Sequence, residues 1–272
     1  MFVQMAMIER LRQLCQQDER VIAAALYGSW ATGEGDAFSD VECALFFNKQ
    51  ALATLDRRAW VEQLAPVQLF FADDFGHFTA IFDNLIRGEF HFESSEDMAR
   101  VSTWKGNAWF PSLASAVLVD RSGALRHHLQ PLIGPPPERD TPAAAENLIA
   151  HFINSVLFGT YTLERGEMAR SLELLSLCHR YLLWLARLVE EATAHWPTPS
   201  RKLEQELSPA AYRRFARCTA RLDANELHRA YQATWMWGVE MARIVAQRHA
   251  LALPKALIDQ VSRRLSEQRS RP

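Results

Sequence analysis

The segment AAALYGSWATGEGDAFSDVECALFF, residues 23–47, decides the fold of the N-terminal half. It contains two short apolar runs, typical of buried strands, that are separated by a glycine-rich loop. Gly28 and Ser29 follow the first run. A tight turn there lets backbone N–H groups approach phosphate oxygens, because glycine has no Cβ to hold a ligand away. The glycine spacing is neither that of a P-loop nor that of a dinucleotide-binding fold. The segment therefore predicts a strand, a phosphate-contacting turn and a second strand.

Two acidic residues, Asp40 and Glu42, stand at the start of the second strand. Side chains alternate along a strand, so both carboxylates emerge on one face while Val41 points into the core. Paired carboxylates suit Mg²⁺, and two ions ~3.5–4 Å apart can hold both the attacking and the leaving oxygen of a phosphoryl transfer. We therefore predict a magnesium site, with two ions, held by Asp40 and Glu42. Ser39 either hydrogen-bonds a phosphate or holds the loop.

The segment RGEFHFE, residues 87–93, alternates polar and apolar side chains and is predicted to be a strand. Arg87, Glu89, His91 and Glu93 share its polar face. One interpretation is a solvated edge of an antiparallel sheet. The other is that one acid completes the metal site or removes the proton of an acceptor hydroxyl, with His91 orienting that acid or contacting phosphate.

The chain is organised in two parts around a proline-rich break. Residues 134–142, GPPPERDTP, cannot form a helix interior or a central strand. Strand patterns precede this break, and three long helical patterns follow it. We predict an α+β protein in which residues 1–134 form a mixed-sheet catalytic domain and residues 142–272 form a helical bundle that binds substrate.

The composition and net charge indicate which kinds of molecule the protein binds. Apolar residues make up 49% and charged residues 23%, as in an ordinary globular protein, and the net charge of -2 argues against a nucleic-acid partner. Glu9 interrupts the N-terminus too early for a signal peptide, and no run approaches the ~20 apolar residues of a membrane span. We expect a cytoplasmic protein with a small-molecule substrate and no membrane partner.

Four segments together resemble the lincosamide nucleotidyltransferases, an antibiotic-modifying branch of the DNA polymerase beta-like nucleotidyltransferase superfamily. They are YGSWATGEGDAFSDVE, IFDNLIRGEFHF, RGEMARSLELLS and ARLDANELHRAY. The resemblance runs from about Arg20 to beyond Tyr231. It implies magnesium-dependent transfer of a nucleoside monophosphate, usually AMP from ATP, to a hydroxyl of lincomycin or clindamycin. The drug is thereby inactivated, and relatives suggest a homodimer.

The resemblance also implies roles for individual residues. Glu89 is the favoured base, and Ser29 lies beside the triphosphate. Arg170, near the start of a helix, either reaches nucleotide phosphates or belongs to an exposed helix start. The implied site residues are Asp40 and Glu42 for metal and catalysis, Glu89 for catalysis, and Gly28, Ser29, Ser39 and Arg170 for the nucleotide.

Other functions fit part of the pattern. An aminoglycoside is an alternative acceptor, although its several positive charges demand an acidic pocket, whereas a lincosamide with one amine and an apolar tail suits an aromatic-lined cleft. A template-independent RNA polymerase requires a basic groove that the balanced charge does not favour. A non-catalytic, antitoxin-like module is the remaining alternative. The hydroxyl that is modified stays open.

Overall fold

The computed structural model describes residues 2–267. The chain divides into two compact units, Met1–Pro137 and Glu138–Pro272, so the division falls within the proline-rich segment. The first unit contains a mixed sheet and the second is helical, which confirms the predicted α+β class.

The first unit is built on a sheet that has six strands among the described residues, in the order β3-β4-β5-β2-β1-β6. Its strands are β1 Val21–Leu26, β2 Val41–Phe47, β3 Val67–Ala72, β4 Phe78–Phe82, β5 Arg87–Ser94 and β6 Val117–Asp120. Neighbouring strands pair in antiparallel fashion, except that β2 and β5 are parallel. Strand β6 has no counterpart among the predicted strands.

Helices of the first unit cover this sheet and connect its strands. They are α1 Val3–Gln17, α2 Gly28–Thr32, α3 Lys49–Thr54, α4 Arg57–Val61, α5 Leu113–Ala116 and α6 Ala124–Leu129, with 3₁₀ helices at Ser95–Trp104 and Gln130–Leu132. Helix α1 contacts the sheet through a stripe at helical spacing that includes Leu11 and Cys15, both fully buried. Each large apolar side chain buried in this way contributes about 1.5–3 kcal/mol to folding.

Strand β5 occupies an internal position between β4 and β2. The interpretation of residues 87–93 as a solvated sheet edge is therefore wrong. Phe90 is fully buried on one face, and the other face carries Arg87, Glu89 and His91, which are partly exposed. A polar face in the middle of a sheet needs partners on the neighbouring strands, and these partners define the site described below.

The second unit consists of helices α7 Pro142–Glu164, α8 Met168–Val189, α9 Leu203–Glu206, α10 Pro209–Arg217, α11 Ala224–Arg248 and α12 Lys255–Glu267. Thr141 caps α7 by accepting a hydrogen bond from the N–H of Ala144, and Pro142 lies in the first turn. Helices α7, α8 and α11 contact one another. Between residues 2 and 267, no helix combines the length and apolarity needed to cross a membrane.

Candidate active site

Three carboxylates, Asp40, Glu42 and Glu89, are brought together by the pairing of β2 with β5; we call them the carboxylate cluster. Val41 and Cys43 are fully buried, so Asp40 and Glu42 emerge on the opposite face of the sheet, as the spacing predicts. The parallel register places Glu42 directly beside Glu89. Two segments separated by more than forty residues thus present acids to one point on the sheet.

One arginine links two members of the cluster. Arg87 donates from Nη1 to Oδ2 of Asp40 at 2.5 Å and from Nη2 to Oε2 of Glu89 at 2.9 Å. Its Nη2 also donates to the hydroxyl of Thr79 on β4 at 3.4 Å. This guanidinium is therefore shared by two of the three carboxylates, and the cluster keeps an excess of negative charge.

The pKa values of two carboxyl groups in the cluster shift in opposite directions. Burial, followed by the neighbouring Glu89 and Asp40 carboxylates, raises the pKa of Glu42 to about 7. Burial alone would also raise the pKa of Glu89, but hydrogen bonds from Arg87, His91 and Tyr27 lower it. Glu89 is thus held ionised by its own partners, whereas Glu42 has too little compensating positive charge. An added cation would supply this charge.

Tyr27 and His91 contact the carboxylate of Glu89 directly. The Tyr27 hydroxyl donates to Oε1 of Glu89 at 2.9 Å, and Nε2 of His91 lies 2.8 Å from that hydroxyl and 3.2 Å from the same Oε1. Burial and the adjacent Glu89 raise the pKa of Tyr27, so its hydroxyl stays protonated. Burial lowers the pKa of His91 despite the nearby carboxylate. These contacts fix the position of Glu89.

Gly28 and Ser29 lie against Glu42, where they begin the short helix α2 rather than an isolated turn. Gly28 has φ +68°, and a Cβ at this position would lie 1.6 Å from Oε2 of Glu42. Only glycine tolerates both the left-handed backbone and this close approach. The backbone N–H of Ser29 donates to the Glu42 carboxylate. The predicted phosphate-contacting residues and the predicted metal ligands are therefore neighbours.

The side chains of the remaining predicted residues, Ser39 and Arg170, contact neighbours within their own units. The Ser39 hydroxyl donates to Oδ1 of Asp36 at 2.9 Å and so holds the loop that precedes β2. Arg170 belongs to the second unit, in the first turn of α8. Its Nη1 lies 3.6 Å from a carboxylate oxygen of Glu167, and its guanidinium lies over the ring of Phe158.

The sequence interpretation missed three contributors to the site. Tyr27 is the residue after a buried strand, Thr79 lies inside an apolar strand, and Arg87 was placed on the polar face of its strand without a partner. The one available signal was the position of Arg87 two residues before Glu89, since residues at this spacing share a strand face.

Comparison with known proteins gives one family match, which covers the second unit. Residues 141–264 match the model described as lincosamide nucleotidyltransferase-like, C-terminal domain. No curated protein matches the chain.

Among solved structures, the chain is similar to an aminoglycoside 6-adenyltransferase from Bacillus subtilis, at a TM-score of 0.46 and 12% identity over 100% of both chains. It is also similar to a nucleotidyltransferase-like protein from Exiguobacterium sibiricum 255-15, at a TM-score of 0.37 and 14% identity over 97% of this chain and 88% of the other. The expected resemblance to the lincosamide nucleotidyltransferases is confirmed by the family match over residues 141–264.

Proposed function

We propose that the protein transfers AMP from ATP to a hydroxyl of a lincosamide antibiotic such as lincomycin or clindamycin, which inactivates the drug and confers resistance. The observation that carries this proposal is the carboxylate cluster on β2 and β5, with Gly28 and Ser29 packed against Glu42. The family match of residues 141–264 supports the lincosamide as the acceptor.

The residues of the cluster fit magnesium. All three donors are carboxylates, which Mg²⁺ prefers, and Arg87 compensates part of their charge. Asp40 and Glu42 are the proposed ligands of two ions, with Glu89 beside them. When bound, Mg²⁺ supplies Lewis-acid stabilisation of the negative charge that develops on the transferred phosphoryl group.

The proposed reaction is displacement at the α-phosphorus of ATP. The drug hydroxyl oxygen forms the new bond to phosphorus, and pyrophosphate leaves. Glu89 accepts the proton of that hydroxyl, because its hydrogen bonds to Arg87 and Tyr27 keep the carboxylate ionised and in a fixed position. Gly28 and Ser29 are proposed contacts of the triphosphate, because they lie against Glu42, a proposed ligand of the metal. Arg170 and Ser39 remain proposed nucleotide contacts.

The test is a single-turnover incubation of the full-length protein with clindamycin, ATP and Mg²⁺, followed by mass spectrometry. We expect a product heavier than the drug by one AMP unit, together with released pyrophosphate. A parallel reaction with an aminoglycoside tests the alternative acceptor. A reaction with no acceptor gives the background release of pyrophosphate against which a non-catalytic module is recognised. An AMP-modified aminoglycoside with unmodified clindamycin would reject the lincosamide. No pyrophosphate with any acceptor would reject the enzyme.

A further inference from the structure

Two histidines adjoin the carboxylate cluster at Glu89. His77 precedes β4, whose antiparallel pairing with β5 brings it beside His91. One ligand atom each from His77, His91 and Glu89 lies within 4.8 Å of the other two. This spacing is small enough for a single ion to contact all three, because zinc bonds nitrogen and oxygen at about 2.0–2.2 Å.

One of the two imidazoles, that of His77, has a carboxylate near its second nitrogen, as many metal-binding histidines do. Nδ1 of His77 lies 3.6 Å from Oδ2 of Asp73, which leaves Nε2 as the nitrogen available for an ion. Asp73 is itself fixed, since its Oδ1 accepts the backbone N–H groups of Phe75 and His77. A carboxylate behind the non-ligating nitrogen is the usual partner of a zinc-bound histidine. His91 directs Nε2 toward Glu89.

The orientation of the two imidazole rings shows which side chain must move before an ion can bind. The rings of His77 and His91 are stacked, with centroids 3.6 Å apart and planes 7° from parallel. An ion shared by two imidazoles lies in the plane of each ring, so one ring must turn. The side chain of His77 is partly exposed next to the β3–β4 hairpin, whereas His91 is held by Tyr27 and Glu89. His77 is therefore the ring that turns.

We propose that His77, His91 and Glu89 bind a divalent transition-metal ion such as Zn²⁺, with Asp73 supporting His77. Imidazole donors favour zinc over magnesium, which prefers oxygen ligands, so this site differs in metal from the Asp40 and Glu42 site. Because Glu89 belongs to both, zinc occupancy removes the carboxylate proposed as the base. Zinc is thus an inhibitor of AMP transfer. The inhibition rests on the proposed function, whereas the binding does not.

Binding is tested by titrating metal-free, full-length protein with Zn²⁺ in a calorimeter, without nucleotide or drug. Co²⁺ is titrated in parallel, since its visible absorption reports imidazole coordination. His77→Phe keeps an aromatic ring on His91 but removes the ligand nitrogen, and Asp73→Asn keeps an oxygen acceptor for the hairpin N–H groups but removes the charge. His127→Phe, in a second pair of adjacent histidines on α6, is the matched control.

We expect one Zn²⁺ per wild-type chain at this site. Affinity should fall at least about 100-fold in His77→Phe and about 10- to 100-fold in Asp73→Asn, the usual effect of losing the carboxylate behind a ligand. His127→Phe should bind zinc as the wild type does. Equal affinity in wild type and His77→Phe would overturn the site.

Zinc inhibition is a separate measurement. Added Zn²⁺ should stop AMP transfer by the wild type at saturating Mg²⁺, and His77→Phe should need a higher zinc concentration for the same inhibition. A protein that binds zinc through His77 but transfers no AMP would reject only the proposed function. An active protein that binds no zinc at His77 would reject only this inference.

Discussion

Two groups of charged residues, one in each unit, differ in how their charge is compensated. In the first unit, the guanidinium of Arg87 contacts two of the three carboxylates of the cluster. In the second, the fully buried Arg187 meets Glu206 at 2.5 Å, and Glu206 meets Nδ1 of His195 at 2.5 Å. The guanidinium of Arg187 also donates to three backbone carbonyls, those of Ala192, Pro199 and Arg201. We call this second group the Arg187 network.

The comparison separates a structural role from a functional one. Arg187 has its charge neutralised and its donors accepted by its own unit, so it fastens residues 192–206 to helix α8. The carboxylate cluster leaves Glu42 with a raised pKa, which the Ser29 amide and the shared Arg87 offset in part. Incomplete charge compensation, rather than residue type or burial, is therefore the reason for proposing that this cluster binds a ligand.

The largest expected effect is on turnover, from a change in the cluster. Asp40→Asn should abolish AMP transfer and weaken Mg-ATP binding, because the ion loses a charged ligand. The side chain is partly exposed and the change is nearly isosteric, so the variant should still fold. Kinetics and thermal melting check both statements. An Asp40→Asn variant that is active at ordinary Mg²⁺ would place the metal elsewhere.

Glu89→Gln should lower kcat by about 10²- to 10⁴-fold, the usual contribution of one general base, and leave the ATP dissociation constant nearly unchanged. Glutamine keeps an acceptor for Tyr27 but loses basicity. Both constants are measured across a Mg²⁺ titration. Recovery of kcat at high Mg²⁺, with weakened ATP binding, would make Glu89 a third metal ligand instead of a base. Unchanged kcat would remove it from the chemistry.

The sequence predicts those parts of this site that depend on residues close together in the chain, and not those that depend on residues far apart in it. The shared face of Asp40 and Glu42, and the polar face that carries Glu89, follow from the two-residue period of a strand. The register that sets Glu42 beside Glu89 does not, because it depends on pairing across an intervening hairpin. Tyr27 reaches Glu89 from 62 positions away for the same reason.

Secondary structure could likewise be predicted from the sequence only where a pattern is long enough to be recognised. The two-part α+β organisation was predictable because strand and helix periodicities change at the proline-rich break. Strand β6 was missed because its four residues are too few to establish a period. Glycine at position 28 predicted a sharp change of direction. That a short helix begins there is set by residues 28–33 together, with Gly33 ending the helix in a left-handed conformation.

The Arg187 network should respond through stability instead of chemistry. Arg187→Met should destabilise the second unit by about 3–5 kcal/mol, because it removes the buried guanidinium that pairs with Glu206 and donates to three carbonyls. The double variant Arg187→Met with Glu206→Gln should recover part of this loss, since the carboxylate that loses its arginine is then also neutral. Thermal unfolding of both variants measures the difference. A single variant as stable as the wild type would show that the network is dispensable.

The smallest expected effect is a gain in stability that accompanies a loss of function. An acid whose folded-state pKa is raised destabilises the folded protein above that pKa and has no effect below its unfolded pKa. Glu42, with a pKa near 7 against an ordinary 4.5, should therefore destabilise the metal-free protein as pH rises through this window. Glu42→Gln should stabilise the metal-free protein by about 1–3 kcal/mol at pH 8 and by nothing at pH 4.

The measurement is chemical denaturation of metal-free wild type, Glu42→Gln and the control Glu93→Gln, which changes an acid farther along the same polar face of β5. Only Glu42→Gln should gain stability at pH 8. Added Mg²⁺ should then stabilise the wild type and not Glu42→Gln, because the ion replaces the missing positive charge only where the carboxylate remains. If Glu42→Gln is instead less stable than the wild type at pH 8, the hydrogen bond from the Ser29 N–H outweighs the repulsion from Asp40 and Glu89. The cluster would then resemble the Arg187 network, with its charge compensated by the chain itself.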